Sequence, residues 1–285
     1  MADNCCGAVA RSGCLLLAVP GGSGALAFCA ALPQKADIPG RDSMRLAGHS
    51  MLDHSLDLAL ARRMMVDGQI RPNDVTDLRL IAAFLDVPRE RFLPPQRAEL
   101  AYLELDAPVG DGPVAAGSAP RVLLKPMVLA KLIQAANIGP NDTVLDVGAA
   151  SGYSSAILAR LAGAVVSLEE DAALARMAEA CLAEGIGRSE PGGAKIAFVR
   201  GPLADGWPDR APYDAILLNG STDIVPERLC RQLKDGGRLV CILGSGPGSK
   251  AMLYLRDGED ISGRPLFDAS APLLPGFSKV PAFAF

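Results

Sequence analysis

Histidine is nearly absent from this 285-residue chain, and its scarcity removes whole classes of chemistry. The two that occur, His49 and His54, both precede the patterned part of the sequence. A Ser-His-Asp or Cys-His nucleophile, or a metal centre built on imidazole, therefore has no place in the main domain. No Gly-x-Ser-x-Gly elbow occurs. Cys-x-x-Cys spacing is missing too, so neither a zinc knuckle nor a redox pair is supported. Of seven cysteines, Cys5, Cys6, Cys14 and Cys29 crowd the start, while Cys181, Cys230 and Cys241 read as reduced, buried small hydrophobes of a cytoplasmic protein. Charge of one sign is lacking as well. A net charge of −4 gives no argument for nucleic acid or an anionic membrane as partner.

No apolar run survives long enough to read as a membrane span. Between Arg11 and Lys35 no charge occurs, but Pro20-Gly21-Gly22-Ser23-Gly24 breaks that stretch, and no basic cluster precedes it. Residues 1–50 are expected to be a poorly ordered extension, with Met44 or Met51 as the functional start. Internal repeats are absent. With 49% apolar and 21% charged residues, the remainder has ample material for one large core.

What is present centres on Val144-Leu145-Asp146-Val147-Gly148-Ala149-Ala150-Ser151-Gly152-Tyr153. A continuous apolar strand runs into small residues and then a helical pattern, so the chain reads as parallel α/β with a nucleotide-type site at that strand's carboxyl end. The small residues are expected to let a ligand approach backbone N–H groups. A dinucleotide fingerprint fails because Tyr153 stands where a third Gly or Ala belongs, and a P-loop fails for want of Lys. After a second strand pattern, Ala164 to Leu168, comes Glu169, 17 residues beyond Gly152 and placed to accept ribose hydroxyls.

The rest of the chain alternates. Amphipathic spacing puts Leu56, Leu60, Met64 and Ile70 on one helical face; Thr76 or Asp77 caps a helix through Leu85. Residues 98–120 read as loop, with Ala101-Tyr102-Leu103 docked. Lys125 to Asn137 reads as a helix with Pro126 in its first turn. A helix over Asp171 to Glu184, a loop over Gly185 to Gly193 and strands at Lys195–Val199, Asp214–Leu218 and Gly237–Leu243 follow, with a helix over Pro226–Leu233 and a glycine turn at Gly244–Gly248. Ala251–Leu255 and Val280–Phe285 are expected as a closing antiparallel pair. The fold class is thus α/β, a Rossmann-like doubly wound and mostly parallel sheet. Three parts are expected: residues 1–50 as extension, 51–120 as helices and loop packed on the core, and 121–285 as the nucleotide-type domain.

Asp146-x-Gly148-x-Ala150-x-Gly152 resembles the first motif of class I S-adenosylmethionine methyltransferases. Within that class the chain resembles the protein-L-isoaspartate (D-aspartate) O-methyltransferases over roughly residues 60–245. The matching patches are Arg63-Met64-Met65-Val66-Asp67-Gly68-Gln69-Ile70, Val87-Pro88-Arg89-Glu90-Arg91-Phe92-Leu93-Pro94, Ser167-Leu168-Glu169 and Gln232-Leu233-Lys234-Asp235-Gly236-Gly237. The resemblance implies S-adenosyl-L-methionine as cofactor and S-adenosyl-L-homocysteine as product, held by Asp146, Gly148, Ala150, Gly152, Tyr153, Glu169 and Asp205. It implies a protein or peptide substrate with an isoaspartyl or related carboxylate, met at Asn219-Gly220-Ser221, and a monomer acting without metal, nucleic acid or membrane.

Three departures stand out. The family's Thr-Ile-Ser-x-Pro is here Val122-Leu123-Leu124-Lys125-Pro126, so the substrate-contacting serine is Leu124 and no catalytic residue is assigned. Its Gly-Asp-Gly is Gly201-Pro202-Leu203, leaving Asp205 as the nearest acid, and its Thr-Ala-Ala is Asn219-Gly220-Ser221. A changed acceptor, or a catalytically weak cofactor-binding relative, is the alternative. Read as residues alone, Asp146 also suits a helix cap, Glu169 a helix entrance and Asn219-Gly220-Ser221 a strand-to-helix turn. Arg62, Arg63, Arg89, Arg91 and Lys125 are expected as solvated charges.

Overall fold

The computed structural model describes residues 51–110, 120–183 and 195–279, with side chains from residue 57 onward. The expected extension over 1–50, the whole loop over 185–193 and the expected strand over 280–285 lie outside the described residues.

Seven strands form one sheet in the order β5-β4-β3-β6-β7-β8-β9. β3 (Thr143–Val147), β4 (Ala164–Glu169), β5 (Lys195–Arg200), β6 (Tyr213–Thr222) and β7 (Leu233–Leu243) run parallel. β8 (Lys250–Asp257) and β9 (Asp260–Asp268) add an antiparallel meander. β3 lies between β4 and β6, so chain order reverses across it, and ligands of such sheets sit at that reversal. β3 and β4 are buried on both faces because helices cover each side, which is why their sequences read as unbroken apolar runs.

The closing pair differs from expectation. Both margins of β8 are taken, one by β7 and the other, through a tight turn at Gly258, by β9. β9 carries Pro265 and mostly exposed residues, which suits a sheet edge but hides it from a search for apolar runs. The helix expected over Pro226–Leu233 shrinks to α6 (Glu227–Cys230), because β7 already begins at Leu233.

On one face α3 (Pro126–Ala136) and α4 (Tyr153–Leu158) pack with α1 (Met51–Met65) and α2 (Leu78–Asp86). Pro126 opens α3 and Asn137 ends it in a left-handed conformation; Asp77 caps α2 by accepting from the Arg79 N–H. α5 (Ala172–Ala183) follows β4. A two-residue pairing of β1 (Ala107–Pro108) with β2 (Val122–Leu123) closes the connection from the first helices.

The expected face of α1 is overturned: Leu60 and Met64 are more than half exposed, while Met65, Val66 and Ile70 are buried. Within α1 the core-facing stripe is Leu58, Ala61 and Met65, and a wide π-type turn over Val66–Ile70 carries it on to Val66 and Ile70. Arg62 is also not a solvated charge. It is drawn inward to Glu90, the Tyr102 hydroxyl and the Leu85 carbonyl, while Ala101 and Tyr102 dock as expected and Leu103, expected with them, is exposed.

Candidate functional site

The loop after β3 turns on three left-handed residues, Gly148 (φ 74°), Ala150 (φ 52°) and Gly152 (φ 92°). Ala150 bears a Cβ in a region costing about 1–2 kcal/mol, and its N–H is held by the Glu169 carboxylate at 2.8 Å. The N–H groups expected to face a ligand are engaged within the protein. Gly148 and Ala149 donate to the Leu168 carbonyl, and Gly152 to that of Ala149. The loop is therefore a tight corner clamped to β4, not an open cradle of donors.

Asp146 is fully buried beneath that corner. It accepts from Ser154 Oγ at 2.7 Å, Ser155 Oγ at 2.5 Å and Asn219 Nδ2 at 2.5 Å. It thereby ties β3 to α4 and to β6, which explains why α4 spends its first turn on serines. Burial pushes its carboxyl up to about 6, with the three donors pulling the other way and the Glu169 charge adding to the rise.

Glu169 stands at the carboxyl end of β4 beside the same loop. Arg121 grips it with two parallel bonds, Nη1 to Oε1 at 2.8 Å and Nη2 to Oε2 at 2.9 Å. Nη2 also donates to the Gly148 carbonyl at 2.9 Å. Backbone N–H groups of Ala150, Glu170 and Asp171 complete the set. Five donors on one carboxylate exceed its roughly four lone-pair sites.

Tyr153, expected against the cofactor, is wholly buried. Its ring meets Phe84 and Phe92 edge-on, with centroids 6.2 and 5.5 Å away, and the Arg89 guanidinium lies 4.9 Å from its centre. Arg89, expected in solvent, is 0% exposed. It donates to the carbonyls of Ala101 and Leu124, while its Nη1 and the Tyr153 hydroxyl have no partner among the described residues. Ser151 Oγ adds a bond to the Phe92 carbonyl at 2.6 Å. Arg91 is exposed as expected, and Lys125 is half-buried at the start of α3.

Asn219, Gly220 and Ser221 continue β6 rather than forming a turn. They lie next to the loop: Asn219 binds Asp146, and a Cβ on Gly220 would fall 2.6 Å from Leu274. Leu124 is buried and lines, with Leu123, Leu129, Gly148, Tyr153 and Asn219, a cavity of about 10 Å³. Asp205 is not brought into this cluster by its side chain. It follows β5 on a short turn and faces outward to Arg228, whereas its neighbour Leu203 packs toward Gly148.

Motif spacing does not mark Arg121, Leu274, Ser154 or Ser155 as site residues. A signal for Arg121 existed: an acid at the end of a buried strand needs a counter-charge, and Arg121 directly precedes the apolar run Val122–Leu124. Leu274 had no signal, since only the chain's path after β9 brings it back.

Known proteins resemble this one over most of its length. The family model for protein-L-isoaspartate (D-aspartate) O-methyltransferase matches residues 61–264. A protein-L-isoaspartate O-methyltransferase of Rhodopseudomonas palustris (strain ATCC BAA-98 / CGA009) is 40% identical over 68% of this chain and 84% of its own length. One from Methylorubrum populi is 36% identical over 76% of this chain and 96% of the relative. A solved protein-L-isoaspartate O-methyltransferase is similar in fold, with TM-score 0.63 at 24% identity, over 75% of this chain and 66% of that one. The beta-aspartate methyltransferase (PCMT) structure from Plasmodium falciparum in complex with S-adenosyl-L-homocysteine gives TM-score 0.58 at 16% identity, over 74% and 96%.

Proposed function

Because this chain belongs to the protein-L-isoaspartate (D-aspartate) O-methyltransferase family, we propose that it methylates a protein-borne carboxylate of the isoaspartyl type, met beside Leu124 and Asn219. It is an S-adenosylmethionine-dependent protein carboxyl O-methyltransferase. The observation that carries the site assignment is Glu169, a buried acid at the end of β4 facing the left-handed corner of β3. That donor set fits the cofactor: Glu169 to hold the ribose hydroxyls, Gly148 and Gly152 to permit close approach, and Asp146 to fix the corner from below. Room is short in the conformation seen: the cavity beside Leu124 and Gly148 holds about 10 Å³ and one beside Glu169, Phe198 and Arg200 about 160 Å³, where a ligand pocket of this kind takes roughly 300 Å³ or more.

When bound, the cofactor supplies an electrophilic methyl on a sulfonium. The chain's own contribution is positioning and exclusion of water. An acceptor carboxylate has a reference pKa near 4 and arrives ionised at neutral pH, so no side chain need take a proton. Leu123, Leu124, Leu129 and Tyr153 make the wall apolar, which keeps water from the displacement. The reading places the enzyme in the cytoplasm as a monomer, with the Cys230 and Cys241 thiols buried as expected and Cys181 only half-buried. Among the described residues no helix is long and apolar enough to cross a membrane.

Leu124 favours a second reading, a changed acceptor. Where the family carries a donor to the substrate carboxylate, this chain presents a buried isobutyl group. A charged-group hydrogen bond is worth about 1.5–3 kcal/mol, roughly ten- to a hundredfold in rate. The test measures S-adenosylhomocysteine release with an isoaspartyl peptide and its aspartyl control, for the natural protein and Leu124→Ser. We expect isoaspartyl-dependent release that rises at least tenfold in Leu124→Ser. Equal release from both peptides in both proteins would point to another acceptor.

A further inference from the structure

Two side chains of this protein stand inside its own cofactor crevice. Arg121 spans Glu169 and the Gly148 carbonyl, taking the oxygens that ribose hydroxyls would use. Leu274 reaches the same glycine. A Cβ built on Gly148 would meet Arg121 Nη2 at 3.0 Å and Leu274 Cδ2 at 3.2 Å, so the two groups converge over the same glycine. At Gly220 the Leu274 side chain is closer still, at 2.6 Å from such a Cβ, a contact only glycine allows.

Leu274 is delivered by a strap that returns from β9 across the carboxyl end of the sheet. Its backbone is held by Ser221 N–H to the Pro272 carbonyl, Leu274 N–H to the Ser221 carbonyl and Asp223 N–H to the Phe277 carbonyl, at 2.9, 2.9 and 3.0 Å. Leu274 and Phe277 are each 2% exposed. Three backbone bonds at the end of β6 hold the strap, and Leu274 and Phe277 pack into the apolar cluster of Leu145, Val147, Ile216 and Leu218. Lifting it therefore exposes those two side chains while the sheet's own ladder stays paired.

We infer that Arg121 and Leu274 form a gate, and that the cofactor is admitted only when the guanidinium leaves Glu169 and the strap lifts from Gly220. The inference rests on the reading that S-adenosylmethionine binds at this corner, and goes beyond it by naming the groups that must move first. Glu169 keeps three backbone donors when Arg121 withdraws, so the acid stays in place to receive the ribose. Apparent affinity is then the intrinsic affinity reduced by the fraction of molecules that are open. Arg121 also stabilises the closed protein, because without it a buried carboxylate loses its counter-charge.

The test uses full-length natural protein, Arg121→Ala and Leu274→Ala, with S-adenosylhomocysteine as probe. Calorimetry gives affinity, thermal melting gives stability, and stopped-flow fluorescence of Trp207, the sole tryptophan, gives rates. Its ring lies against Gly201 at the end of β5, near the crevice. The gate predicts opposite signs in Arg121→Ala: a lower melting temperature with affinity raised roughly tenfold. It also predicts a binding rate that saturates with probe concentration in the natural protein, and a higher ceiling in each variant, since each removes one of the two barriers to opening. Should one variant fail to fold, the other and the natural protein's saturation still decide. Weaker binding in Arg121→Ala, or equal affinity with linear rates throughout, would overturn the gate and leave the cofactor reading standing. No binding in any of the three would remove the cofactor reading and the gate with it.

Discussion

At the scale of single residues, the acids of the site were legible and their partners were not. Asp146 and Glu169 announce themselves through spacing from strands whose apolar runs are plain in the sequence. Ser154, Ser155 and Arg121 satisfy those acids through space, and no periodicity records such pairings. Arg89 was misread for a related reason: it serves the carbonyls of Ala101 and Leu124, two irregular segments with no strand neighbour to satisfy them. Asp146 yields a prediction with a definite sign. Burial lifts its carboxyl from 3.8 to about 6 in the folded state. Between those values the folded protein keeps a proton on Asp146 that the unfolded chain releases, so the contribution of Asp146 to stability is fullest below pH 4 and is lost as pH rises through 6. A shift of this size is worth about 2–3 kcal/mol. Urea unfolding from pH 4 to 7 should show this decline in the natural protein and a flatter profile in Asp146→Asn. Parallel profiles would mean that Asp146 is not the group responsible.

At the scale of elements, the parallel strands were readable because burial on both faces leaves an unbroken apolar word for each. The margins were not. β9 lies at the sheet's edge with Pro265 and exposed polar residues, a composition shared with loops. The face of α1 was misassigned because Leu56, Leu60 and Met64 recur at helical spacing just as Leu58, Ala61 and Met65 do, and packing on the core selects the second stripe. The β8–β9 hairpin depends on Gly258, whose φ of 59° is left-handed and whose missing Cβ would meet nothing within 4 Å. Replacement therefore tests backbone strain alone. Gly258→Ala should cost about 1 kcal/mol and lower the melting temperature by a few degrees, with S-adenosylhomocysteine affinity unchanged. A larger loss, or an altered affinity, would show that the hairpin supports the strap that follows it.

At the scale of the whole molecule, alternation of strands and helices was enough to give the doubly wound sheet, since parallel neighbours demand crossovers. It did not reveal that the first helices share one continuous apolar cluster with the sheet, from Met65 and Phe84 through Tyr153 to Leu253. That continuity predicts a single cooperative transition. Denaturant curves followed by far-ultraviolet circular dichroism and by Trp207 fluorescence should coincide; an early loss of helical signal would show that the helices unfold separately.

The seam where Phe84 and Phe92 close on Tyr153, with Ser151 bonded to the Phe92 carbonyl, also bears on inheritance. The corner that defines the site takes its shape partly from residues about sixty positions earlier in the chain. Recombination between relatives at a point such as residue 120 would exchange the sheet while keeping a foreign mould for its central loop. The two stretches are therefore expected to change together over generations, so that a larger ring at 153 is answered by a smaller one at 84 or 92. Grafts meant to transplant this loop onto another scaffold must carry the Val87–Pro94 segment with it.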